Sequence, residues 1–95
     1  MKVTVDCRRA DDGWTCAVTV GDDSTATRHA VTVSGETLRQ LAPADGDPGR
    51  LVAESFRFLL EREARESILR SFELPLIGRY FPEWERAIRG RLREG

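Results

Sequence analysis

The sequence predicts an α+β fold, a three-stranded antiparallel β-meander followed by three to four helices packed on one sheet face. Two observations carry this expectation. Residues 3–33 fall into three stretches that alternate apolar and polar side chains with period two, separated by turns rich in Asp, Gly and Ser. The stretch from Asp47 to Glu63 is a strongly amphipathic helix with an apolar arc broad enough to cover a small sheet. The 95 residues make one domain, 1–95, with 1–33 as the sheet and 34–95 as the helical part.

In the first strand Val3, Val5 and Cys7 alternate with Thr4, Asp6 and Arg8. In the second, Trp14, Cys16, Val18 and Val20 alternate with Thr15, Ala17 and Thr19, and in the third His29, Val31 and Val33 alternate with Arg28, Ala30 and Thr32. Such patterning belongs to an antiparallel sheet with one face buried. A turn at Ala10 to Gly13 pairs Val3 with Val20, Val5 with Val18 and Cys7 with Cys16. The second loop sets His29 opposite Val18 and Val31 opposite Cys16.

Ser34 is an N-cap for a short helix, Gly35 to Ala42, with Leu38 and Leu41 apolar. The turn Pro43-Ala44-Asp45-Gly46-Asp47 then leads into the long helix, with Asp47 as N-cap and Pro48 at the first helical position. Leu51, Val52, Ser55, Phe56, Phe58 and Leu59 share its apolar arc, while Arg50, Glu54, Arg57 and Glu61 form a solvated face of alternating sign. Continued at the same pitch, Ile68 and Phe72 land on that charged face, so a kink or new start is expected near Arg62–Ser67. A short helix over 67–72 should follow, with Arg65, Ile68, Leu69 and Phe72 at helical spacing. Leu74-Pro75-Leu76-Ile77-Gly78 reads as an extended crossing or edge segment because Pro75 interrupts it. A last helix runs from Glu83 to Arg93, with Trp84, Ile88 and Leu92 as its apolar stripe and Arg89, Arg91 and Arg93 near its end.

Hydrophobic residues at 40% and charged residues at 33% describe a globular chain with a well-charged surface. The absence of an apolar run near ~18–20 residues and an N-terminus that reads as a strand place it in the cytoplasm, without a membrane partner. The formal charge of −1 divides into −3 over residues 1–47 and +2 over 48–95, too small a basic excess for a typical nucleic-acid binder. Fourteen of the fifteen basic residues are Arg, a bias that fits a GC-rich genome.

Each constellation that could carry chemistry has a plainer alternative. Cys7 and Cys16 share the buried face and read as two small apolar fillers in a reducing cytosol, with a functional disulfide as the lesser reading. Joined by His29 they offer three zinc ligands at a spacing that matches no zinc motif, so no metal is expected. One His, no GxSxG and no phosphate loop leave nucleophilic catalysis unsupported, and the carboxylates sit in turns or on ion-paired faces. No enzyme activity and no cofactor are expected. Arg79, Arg86, Arg89, Arg91 and Arg93 concentrate near the C-terminus, diluted by Glu83, Glu85 and Glu94. The residues from Phe72 to Trp84 concentrate seven large apolar side chains and two prolines. Either they close the core or they leave an apolar patch, and in the second case Leu76, Ile77, Tyr80, Phe81 and Trp84 form a protein or self-association interface. An uncapped strand edge at Met1–Arg9 or Thr27–Val33 offers a second route to pairing.

Four stretches carry a resemblance: Ser34-Gly35-Glu36-Thr37-Leu38, Phe58-Leu59-Leu60-Glu61-Arg62-Glu63, Glu66-Ser67-Ile68-Leu69 and Arg79-Tyr80-Phe81-Pro82-Glu83. Together they resemble a family of small uncharacterised proteins of actinobacteria and haloarchaea with no assigned activity, over most of the chain from Val31 onward. That resemblance implies a cytoplasmic bacterial or archaeal protein and little more. The strand–strand–strand–helix order is also similar, in topology alone, to the partial RNase H-like half of some toxin–antitoxin antitoxins, without the separate DNA-binding tail such antitoxins carry. The expected function is therefore a non-enzymatic protein-interaction or regulatory module, homodimeric or with another protein partner. The alternative is an antitoxin-like nucleic-acid-binding regulator using Arg79, Arg86, Arg89 and Arg93.

Overall fold

The parity of the strands determines everything that follows. A computed structural model describes residues 1–44 and 46–94, the side chain of Glu94 excepted. The α+β class holds, but the sheet has four strands in the order β1-β2-β3-β4 where three were expected. β1 is Val3–Ala10, β2 Gly13–Val20 and β3 Thr27–Ser34, an antiparallel meander in the expected register, with Cys7 opposite Cys16 and Val18 opposite His29. The first turn is tight. Asp11 takes φ 53°, a left-handed conformation that Asp tolerates, and at Gly13 any Cβ would run into the Val33 carbonyl.

On the inward face Cys16, Val18, Val20, His29, Val31 and Val33 are buried, while Val3, Val5 and Cys7 on the edge strand are half-buried. The outward face is open, with Thr4, Asp6, Arg8, Thr15, Ala17, Arg28, Ala30 and Thr32 all exposed. Cys7 and Cys16 are joined by a disulfide, which corrects the expectation of two separate thiols. The physical reason is the register, since a non-hydrogen-bonded cross-strand pair brings the two Cα atoms to 3.9 Å.

Two helices follow with the capping that their sequences call for. In α1, Gly35–Leu41, the Ser34 side chain accepts from the Thr37 N–H at 3.0 Å. In α2, Pro48–Leu60, Asp47 accepts from the Gly49 N–H at 2.9 Å, and Leu51, Val52, Ser55, Phe56, Phe58 and Leu59 are buried against the sheet and the last helix. Of the turn leading into α2, Asp45 lies outside the described residues.

The helix expected over 67–72 is not formed. After α2 the chain makes a single 3₁₀ turn, Arg65–Ser67, and then β4, Ser71–Glu73, which runs parallel to β3 with Val31 beside Phe72. Four hydrogen bonds outweigh helical spacing here. The Arg65 guanidinium donates to the Val20 carbonyl and the Thr25 hydroxyl at 3.3 and 2.8 Å, packed over Gly21, whose φ of 104° and missing Cβ leave the room. The Ala30 N–H donates to the Arg70 carbonyl and the Leu74 N–H to the Thr32 carbonyl, at 2.8 and 2.9 Å. Pro75 then disfavours a helical conformation at Leu74 before it.

The expected extended crossing at Leu74–Gly78 is corrected as well. Pro75 has helical dihedrals and opens α3, Leu76–Tyr80, since a proline at a helix start forfeits no hydrogen bond. α4, Trp84–Glu94, lies one residue beyond the expected range, and Arg50 of α2 donates to the Leu92 and Arg91 carbonyls at its end, at 3.1 and 3.2 Å.

The disulfide closes a loop with a sequence separation of only 9. Reduction is therefore expected to lower stability by about 2–3 kcal/mol while leaving the hairpin register intact, as measured by urea denaturation with and without dithiothreitol.

Candidate interaction site

The segment between α2 and α4 builds a groove of about 270 Å³. Its floor is Leu59, Ile68 and Ile77, all buried. Phe72, Leu76 and Phe81 stand half-buried in its walls, and Leu69 and Tyr80, 50% and 67% exposed, flank its mouth. Extended backbone at Ile68 turns that side chain inward and its neighbour Leu69 outward.

His29 fixes this wall to the sheet. Its Nδ1–H donates to the Leu69 carbonyl at 2.8 Å, and Nε2 accepts from the Thr27 hydroxyl at 2.9 Å, the tautomer in which both bonds form. The ring meets Phe56 edge-on with centroids 5.2 Å apart, and Phe56 in turn stacks on Phe72 at 6.1 Å. His29 is thus a buried structural residue, and among the described residues no His, Cys, Asp and Glu group is placed to hold a metal ion.

Of the five residues expected at a protein interface, the structure brings Leu76, Ile77, Tyr80 and Phe81 together around the groove. Ile77 and Trp84 are corrected to core, at 3% and 1% exposure. Trp84 donates its indole N–H to Ser55 at 3.1 Å inside the α2–α4 contact, which satisfies the two buried polar groups of that contact. Phe81 leans on Phe58 at 5.9 Å, and the Arg62 guanidinium lies 3.6 Å over the same ring while pairing with Glu83. Leu69, Phe72 and Ile68 belong to the groove although helical spacing assigned them elsewhere. The signal for Phe72 is the polar–apolar alternation Ser71-Phe72-Glu73-Leu74, which fits a strand.

The arginines divide. Arg91 is committed to Glu61, at 2.7 and 2.8 Å, and this hydrogen bond holds the Glu61 carboxyl below its ordinary range. Arg89 donates to the Gln40 carbonyl at 3.2 Å and pairs with Glu85, tying α4 to the end of α1. Arg79, Arg86 and Arg93 are exposed and, among the described residues, enter no ion pair. The side chain of Glu94, expected to dilute this patch, lies outside the described residues.

No protein-family model matches this sequence, and neither a curated protein nor a solved structure matches it. No helix among the described residues is long and apolar enough to cross a membrane.

Replacing His29 by Leu is expected to cost about 1–3 kcal/mol, because the Thr27 hydroxyl and Leu69 carbonyl lose their partner. Amide exchange should accelerate first at Ala30 and Leu74, whose N–H groups hold β4 to β3.

Proposed function

We propose that this chain is a non-enzymatic protein-interaction or regulatory module that receives a protein partner in the groove between Leu69 and Tyr80. One observation carries the proposal. Three large hydrophobic side chains are exposed among the described residues, Met1, Leu69 and Tyr80, and two of the three flank the same groove. Three of the four stretches behind the resemblance to small actinobacterial and haloarchaeal proteins supply groove residues, Leu59 and Glu63, Ser67 to Leu69, and Tyr80 with Phe81. Membership of that family is proposed on the same residues.

A second reading, an antitoxin-like nucleic-acid-binding regulator, is favoured by the exposure of Arg79, Arg86 and Arg93, which enter no ion pair among the described residues. Arg86 and Arg93, seven residues apart, share one face of α4. The bonds of Arg89 to α1 remove it from the set available for phosphate.

The two readings separate in one experiment. Tagged protein is used to capture partners from lysate with and without nuclease, alongside a Leu69→Ser, Tyr80→Ser variant. Capture that survives nuclease and drops at least about tenfold in the variant, with stability changed by no more than about 0.5 kcal/mol, is the expected result. Unaltered capture by the variant would sink the groove reading. Material released by nuclease, and falling steeply with salt, would transfer the function to the arginines.

The cytoplasm is the compartment we propose, and the Cys7–Cys16 bond makes it checkable. Thiol trapping with a maleimide before lysis is expected to label both cysteines in the cytoplasm, where the glutathione pool holds thiols reduced. Two unlabelled cysteines would indicate an oxidising compartment.

A further inference from the structure

Among the described residues, β1 is an eight-residue strand with a neighbour on one side only. The ladder decides which of its backbone groups remain open. The Gly21 N–H donates to the Lys2 carbonyl at 2.8 Å, and Cys7 and Cys16 stand 3.9 Å apart at Cα, as a non-hydrogen-bonded pair does. Even-numbered residues of β1 therefore bond to β2. Val3, Val5, Cys7 and Arg9 turn their N–H and C=O groups toward the open edge. Of the devices that usually blunt such an edge, charge is present on β1, while a proline and a bulge are missing. It contains no proline, its register with β2 runs from Val3 to Ala10 without a bulge, and no strand lies beyond it among the described residues. The other edge considered from the sequence, β3, is occupied by β4 at Ala30–Thr32.

Charge specifies what the edge can receive. Asp6 and Arg8 are exposed on the outward face, opposite the uncharged Ala17 and Thr15 of β2. Among the described residues neither enters an ion pair. Two opposite charges, two positions apart on an edge strand, complement themselves under a twofold axis through the residue between them.

We infer that β1 is the contact of a homodimer, in which two copies pair antiparallel about Cys7 and the two sheets become one. Asp6 of each copy then lies opposite Arg8 of the other, twice by symmetry. Val5 and Arg9 become a hydrogen-bonded pair, as does Cys7 with its own copy, so the open N–H and C=O groups are satisfied. The charges also select the register. Moving the axis one residue either way places Asp6 against Asp6 or Arg8 against Arg8. The half-buried row Val3, Val5 and Cys7 gains cover, and the unbroken β1–β2 ladder from Val3 to Ala10 offers the edge in one register. The groove at Leu69 and Tyr80 takes no part, so this inference stands apart from the proposed function.

The test is sedimentation equilibrium on the full chain, wild type and four variants, with circular dichroism to confirm folding. Wild type is expected to be a concentration-dependent dimer. Asp6→Arg alone, or Arg8→Asp alone, is expected to raise the dimer dissociation constant at least about tenfold, because each places two like-charge pairs in the interface. The double variant Asp6→Arg, Arg8→Asp should restore it, a rescue that a purely structural role within one chain would not produce. Leu69→Ser with Tyr80→Ser should leave the dimer unchanged. A wild type monomeric at millimolar concentration, or a dimer indifferent to both charge reversals, would overturn the inference.

Discussion

The contact between α2 and the inward face of the meander is the one on which the rest of the molecule depends. Three strands that alternate apolar and polar side chains produce a sheet with one greasy face. That face is stable only when a second layer covers it. α2 supplies the layer with Leu51, Val52, Phe56, Phe58 and Leu59, and keeps its charged residues on the opposite side. Once α2 is seated, α4 closes over its far flank through Trp84, Ile88 and Leu92, and the buried indole finds Ser55 as its one polar partner. The core is thus assembled around a helix, with the outward sheet face left open to solvent.

Seating α2 also sets how far the chain must travel to return. It leaves the helix at Leu60 on the side of the β2–β3 loop, where Arg65 reaches Val20 and Thr25. From there it passes along β3 as β4, held by His29 beneath and by two backbone bonds beside it. A histidine in this position is useful because it can donate with one nitrogen and accept with the other, linking a carbonyl on the returning segment to a hydroxyl on the strand. The groove is a consequence of that return. Turning Ile68 into the core turns Leu69 out, and the short helix α3 sets Tyr80 across from it.

The two surfaces that stand out have different physical characters. The groove is concave and apolar, and its exposed members come from the loop before β4 and from the short helix α3. The β1 edge is regular, rich in open backbone groups, and marked by a single pair of opposed charges. The two surfaces share no residue, since the groove is lined from Leu59 to Phe81 and the edge is Val3–Ala10.

Most of the fold was legible in the sequence because it rests on local rules. Period-two alternation and turn residues gave the three strands and their register down to Cys7 opposite Cys16, and caps at Ser34 and Asp47 gave the starts of α1 and α2. The candidate site was only half legible. Apolar density pointed to the right segment, but density does not say which side chains face inward, and Trp84 and Ile77 proved to be core while Leu69 proved to be surface. The stretch from Arg65 to Glu73 is ambiguous in sequence for the same reason. Ile68, Leu69 and Phe72 satisfy helical spacing, while the alternation around Phe72 satisfies a strand, and both patterns are too short to exclude the other. The decision came from partners distant in sequence, the open edge of β3, the His29 ring and the carbonyl of Val20. The sequence by itself determined which segments have a face to bury. Only the tertiary structure decided which neighbour each buries it against, because a backbone with unpaired N–H and C=O groups takes the conformation that a nearby edge will complete.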